Sequence, residues 1–141
     1  MTITQWLLLP ALVHVALVFF VGARLGRARF KAARSGAVKV NDIAVDGTKW
    51  PDDVKKIVNN FQNQFEVPVL FHALLPLLLV TGLADAVAVV LAWIFAASRI
   101  VHSYIHIGSN IVIRRFRAFL LGFIVVVLMW AWFGLRLYVI G

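Results

Sequence analysis

The chain has 141 residues, of which 62% are hydrophobic and only 14% charged, against roughly 25% charged in an average soluble domain. With a mean hydropathy of +0.92, this composition excludes an ordinary soluble domain and marks a small integral membrane protein. The formal charge of +8 does not point to nucleic acid, because the basic residues flank apolar runs and no soluble domain presents them as a surface; the lack of cysteine excludes disulfides, Cys-zinc sites, cysteine-ligated clusters and a cysteine nucleophile.

The first charge-free run covers residues 2–23. It is longer than a signal-peptide core, no Lys or Arg precedes it and no small-residue cleavage site follows, so a retained helix is expected over about 3–29. His14 near its middle reads as a packed or water-bonded side chain. An exposed, basic connection is expected over about 30–51, where Gly36, Asp42, Asp46 and Gly47 show no sustained period. Trp50-Pro51-Asp52-Asp53 resembles a helix start, since Pro fits a first turn and acidic groups favour a helix N-terminus. The second helix is predicted over about 52–82, its first part projecting beyond the bilayer, with a bend at Pro68. A tight turn at Gly82-Leu83-Ala84-Asp85 makes the third helix, about 86–107, antiparallel to the second. A link around Gly108 to Asn110 leads to the fourth, about 112–139, whose Trp130, Trp132 and Tyr138 suit an interfacial aromatic belt.

The predicted fold class is therefore an all-α membrane protein, one domain over 1–141, folded as an antiparallel four-transmembrane-helix bundle. Each span is near the roughly 20 residues that cross a hydrocarbon core. Basic residues gather between the first two runs, from Arg24 to Lys56, and between the last two, at Arg114, Arg115 and Arg117, while the opposite side has only Arg136. The positive-inside rule then puts both basic loops in the cytoplasm and both termini outside. A bacterial inner membrane is the expected location.

Four polar patches fall on the same side of these spans. Asn59, Asn63 and Glu66 are spaced i, i+4, i+7 with Gln62 beside them, and Arg99, His102 and His106 are spaced i, i+3, i+7, so each set lines one helix face. A charge at mid-membrane costs about 2.5–3.5 kcal/mol on insertion scales, so these faces should turn inward, towards each other or a wet cavity. A purely structural Glu66–Arg99 ion pair satisfies the same pattern. The i, i+4 imidazoles His102 and His106, with Glu66, match a two-His-one-carboxylate metal set only thinly, and no metal is assigned. An ion or proton pathway through Glu66, His102 and His106 has little beyond that motif to support it.

The segment Asn59-Asn60-Phe61-Gln62-Asn63-Gln64-Phe65-Glu66-Val67-Pro68, then Ser98-Arg99-Ile100-Val101-His102, then Arg114-Arg115, resembles the membrane-associated proteins in eicosanoid and glutathione metabolism, the MAPEG family. The likeness extends over nearly the whole chain. It implies a homotrimer that binds glutathione between adjacent subunits near the cytoplasmic side and takes an apolar acceptor from the lipid. By position it implies that Asn63 and Glu66 hold glutathione, Glu66 through the α-amino group, with Arg99, His102 and His106 on the third helix. It further implies that Arg115 stabilises the thiolate and that Arg27 contacts a carboxylate.

Departures accompany the likeness. Glutathione-using members commonly carry arginines where this chain has Asn59 and Gln62, a tyrosine at His106, and Ser and Tyr where Phe116 and Phe119 stand. The reading that results is a glutathione-dependent transferase or peroxidase acting on lipophilic electrophiles, with glutathione as co-substrate. Its partners are a lipophilic small molecule, membrane lipids and further copies of itself, with no nucleic acid. The alternative is a non-catalytic lipid-binding or scaffold member of the same family.

Overall fold

Apolar periodicity and capping residues divide the chain into six helices, described here from a computed structural model that covers every residue except Val45 and Gly141, and of Val40 the backbone alone. Helix α1 spans Ile3–Arg34. Its start is fixed by a reciprocal cap: Gln5 N–H donates to Thr2 Oγ1 (3.3 Å) and Thr2 N–H to Gln5 Oε1 (2.9 Å). It runs about a turn beyond the expected end at residue 29. Arg27, Arg29, Lys31 and Arg34 are good helix formers, and cations suit a helix C-terminus, so the basic stretch prolongs the helix. The stop comes at Gly36, whose φ of +73° lets the chain reverse while Ala37 N–H bonds Ala32 O (3.1 Å) and Gly36 N–H bonds Ala33 O (3.2 Å).

The expected loop holds one turn of helix, α2 (Val40–Ile43), and a 3-10 turn at Gly47–Lys49; Val45 of that loop lies outside the described residues. The second span is not continuous. It consists of α3 (Asp52–Asn63) and α4 (Val67–Val80), separated at Gln64–Glu66. The expected bend at Pro68 is thus a break one turn upstream. Pro68 cannot donate to the Gln64 carbonyl and its ring collides with that carbonyl, so the last turn before it opens and Glu66 takes a non-helical backbone (φ −90°, ψ −102°). Helix α5 spans Ala86–Ile107 and α6 spans Val112–Leu135, continued by a π turn at Arg136–Ile140.

Four of these stretches are long and apolar enough to cross a membrane: Ile3–Arg34, Asp52–Val80, Ala86–Ile107 and Val112–Ile140. Short turns at 81–85 and 108–111 set the second, third and fourth spans antiparallel to one another, and a longer loop joins the first two. Helix α5 is central, lying along both α6 and α1, while α3 and α4 close the bundle. Two apolar cores result. One, near the termini, is built on Leu7, Phe71, Leu74, Phe95, Val126 and Met129; the other, towards the basic loops, on Val21, Leu25, Val54 and Ile57. Between them lies a buried polar belt contributed by α1, the end of α3 and α5: His14, Asn60, Gln64, Ser98, Arg99, His102, Ser103 and His106. Large outward side chains such as Phe19, Val80, Val90 and Val127 are exposed, as a surface solvated by hydrocarbon requires.

Asp85 ties the end opposite the basic loops. Its Oδ1 accepts from Ala88 N–H (2.9 Å), capping α5, and its Oδ2 accepts from Trp132 Nε1 (2.9 Å) and Arg136 Nη1 (3.2 Å). Asp85→Ala removes a cap worth about 1 kcal/mol and strands two donors, so thermal unfolding in detergent is expected several degrees lower. Asp85→Asn keeps the cap but turns an NH₂ to Trp132 and Arg136, so it should recover only the capping share of the loss; an equal loss in both variants contradicts the capping assignment.

Candidate functional site

The break at Gln64–Glu66 and the two faces of α3 determine where the polar residues go. Asn59, Gln62, Asn63 and Glu66 form one wall of a cleft of about 390 Å³; His102 and His106 of α5 form its floor, and Arg115, Phe116 and Phe119 of α6 the far wall. Asn63 is steadied by its own helix, its Nδ2 donating to Asn59 O (2.7 Å).

Arg115 is held from three directions. Its Nη1 donates to Asn110 Oδ1 (2.8 Å) and to His106 Nε2 (3.0 Å), while His102 Nδ1 donates to its main-chain carbonyl (3.2 Å). Asn110 reaches it from a left-handed backbone, φ 50°, a conformation that Asn tolerates better than most residues. Its N–H bonds Ile105 O (2.7 Å), which fastens the α5–α6 turn. These bonds fix both tautomers: neutral His106 accepts at Nε2, and His102 donates at Nδ1. Arg115 Nη2 and Nε have no partner among the described residues and remain available to a ligand.

Arg99 lies behind this wall, 0% exposed. No ion pair with Glu66 forms, and Nε, Nη1 and Nη2 of Arg99 all lack a hydrogen-bond partner. The Phe119 ring, which lines the cleft, also packs on the guanidinium, its centroid 5.9 Å from Cζ, a cation–π contact. His102 Nε2 and His106 Nδ1 are also buried without partners. Apart from Arg136 Nε, every unpaired buried side-chain nitrogen among the described residues belongs to the polar belt. Native interiors leave few such groups, and here they are concentrated on Arg99, His102 and His106, beside the cleft. The His102 and His106 rings are 5.4 Å apart and perpendicular, and among the described residues no group of three His, Cys, Asp or Glu is placed to hold a metal.

The fold thus gathers Asn63, Glu66, His102, His106 and Arg115 on one cleft with Arg99 behind it. Arg27 is not brought there. It lines a separate basic cavity of about 560 Å³ between α1 and α3, with Arg24, Lys31 and Lys56. Asn60, Gln64 and Ser103, given no role from the sequence, interlock on the other face of α3, and His14, expected as a packed or water-bonded side chain, joins them to His72. The available signal was His72, a lone imidazole in the apolar run 67–84, together with the i, i+4 pair Asn60 and Gln64.

The model of the MAPEG family matches residues 7–135. This chain belongs to the MAPEG family. No curated protein and no solved structure matches it. Membership identifies a membrane protein of the family associated with eicosanoid and glutathione metabolism, and it gives the cleft its context. The two MAPEG positions that depart from arginine here, Asn59 and Gln62, both line the cleft, so it is polar on that wall but uncharged except for Glu66.

Gly122 sets the approach of α6 to Arg99. A Cβ there meets Ser98 Oγ at 2.7 Å and Arg99 Cδ at 3.6 Å, and Ser98 Oγ is itself committed to Phe95 O (2.7 Å). Gly122→Ala is therefore expected to cost about 1–3 kcal/mol through overpacking. Ser98→Ala in the same chain should recover most of that, giving a coupling of about 1 kcal/mol in a double-mutant cycle of unfolding; additive losses contradict the close approach.

Proposed function

We propose that the protein is a glutathione-dependent transferase or peroxidase acting on lipophilic electrophiles, and that the cleft between α3, α5 and α6 receives glutathione. The observation that carries this reading is the cluster of buried, unpaired donors and acceptors on Arg99, His102 and His106, facing or backing a cleft whose open wall offers Glu66 and Arg115. Glutathione suits that mixture: an ammonium for Glu66, peptide groups for Asn63, Gln62 and the imidazoles, and a thiol for Arg115. A thiol of pKa near 8.5 is mostly protonated at neutral pH, and an adjacent cation shifts it towards thiolate. Conjugation then needs no protein nucleophile: the thiol proton passes to water, the sulfur forms the new bond to the electrophile, and any leaving group departs with its electron pair.

In this proposal the basic loops face the cytoplasm of a bacterial-type inner membrane, where glutathione is supplied, and the bilayer supplies the acceptor. Three copies assemble so that Arg27, remote from the cleft within its own chain, can approach the cleft of a neighbour and meet a carboxylate. The second reading, a non-catalytic lipid-binding or scaffold member, draws on Asn59 and Gln62, which leave two carboxylate clamps unfilled.

Arg115→Ala should lower turnover of a model electrophile by about 10²-fold or more, the usual effect of deleting a group that stabilises developing charge, and should abolish the thiolate absorbance expected on glutathione binding. Glu66→Gln should weaken glutathione binding by roughly 10–100-fold, the worth of one charge-assisted hydrogen bond, with a smaller effect on saturated turnover. Unchanged turnover in Arg115→Ala removes that residue from its role. Parent protein that binds lipid but neither binds nor uses glutathione supports the scaffold reading.

A further inference from the structure

The opposite face of α3 opens on a second cavity that shares no lining residue with the cleft. It is a groove of about 590 Å³ between α1 and the α3–α4 break, walled by Val15, Val18, Phe19, Phe61, Phe65 and Val69. Its polar groups are His14, Gln64 and His72, which form a directional chain. Gln64 Nε2 faces Asn60 O (3.0 Å), Asn60 Oδ1 (3.1 Å) and Ser103 Oγ (3.0 Å). A main-chain carbonyl can only accept, so this end of the amide is the NH₂ and Oε1 is the end turned to His14. His14 Nε2 must then donate to Oε1 (3.2 Å). With both rings neutral, the form suited to an apolar setting where no carboxylate is bonded to either, His14 Nδ1 accepts from His72 Nε2–H (3.0 Å). His72 Nδ1 is left as a bare acceptor on a residue that lines the groove, with no partner among the described residues and not sealed off by burial.

We propose that this groove binds a lipophilic molecule bearing a hydroxyl, whose O–H donates to His72 Nδ1 while its hydrocarbon body lies along Val18, Phe19, Phe61 and Phe65. The polarity of the chain, fixed at its far end by the Asn60 carbonyl, selects a donor. Acyl tails offer none, and an ether or ester can only accept, so either meets the lone pair of His72 with one of its own. The site is separate from the glutathione cleft and does not depend on catalysis there.

The test is saturable binding of tritiated hexadecanol and of its methyl ether to the full-length protein in detergent. The parent should bind the alcohol at least tenfold more tightly than the ether. His72→Phe should erase that preference while retaining the affinity for the ether, and His72→Gln, which restores an acceptor, should recover part of it. Val18→Trp, filling the groove, should abolish binding of both probes, with helix content and elution volume checked for each variant. Equal affinity for alcohol and ether in the parent overturns the proposal. So does a preference that survives His72→Phe, binding that survives Val18→Trp, or no saturable binding of either probe, the result expected if a second copy of the chain fills the groove.

Discussion

Hydrocarbon supplies no hydrogen bonds, and that constraint organises this molecule. A polar group in a span must find a partner inside the bundle or line a cavity. The chain answers by gathering its buried polar side chains into one belt between two apolar cores, with α5 contributing to it over two turns and α1, α3 and α6 closing around it. The belt divides into two halves of different character. Around Gln64 nearly every donor has an acceptor, so that half acts as structure. Around Arg99 the buried nitrogens have no hydrogen-bond partner among the described residues.

The break at Gln64–Glu66 lets one helix serve both halves. A continuous helix through Pro68 would send Glu66 on with the face set by Asn59 and Asn63, one turn deeper into the bilayer. With the turn open Glu66 still lines the cleft, while Gln64, four residues after Asn60, lies on the opposite side, where it is 2% exposed and fixes the polarity of the histidine pair. The break before Pro68 thus sits between a polar cleft lined by Glu66 and an apolar groove lined by Gln64. It costs no helix on either side, because α3 ends and α4 begins within three residues.

The spans were legible because absence of charge over a bilayer's length is a strong signal. Their polar stripes were legible because a helix places i, i+4 and i+7 on one face, which is why Asn63, Glu66, His102 and His106 do share a cleft with Arg115. The extent of α1 was not, since a basic, strongly helix-forming stretch such as Arg24–Arg34 resembles a loop when only hydropathy is read. The site of the break was not, because proline disturbs the carbonyl four residues before it and the sequence does not say whether a helix bends or parts. Position around an axis also hid Arg27, which points to the basic cavity. The His72–His14–Gln64 chain left only a faint mark in the sequence, a lone imidazole and the Asn60–Gln64 pair: it joins α4, α1 and the break, and depends on packing distances that no spacing encodes.

The half of the belt around Arg99, with Glu66 and Arg115 beside it, is the proposed glutathione site. Its most direct test is calorimetric titration of glutathione into the detergent-solubilised protein in two buffers of different ionisation enthalpy. The account predicts a saturable isotherm whose heat differs between the buffers, because binding releases the thiol proton. No saturable heat in either buffer, with the protein folded, would contradict it.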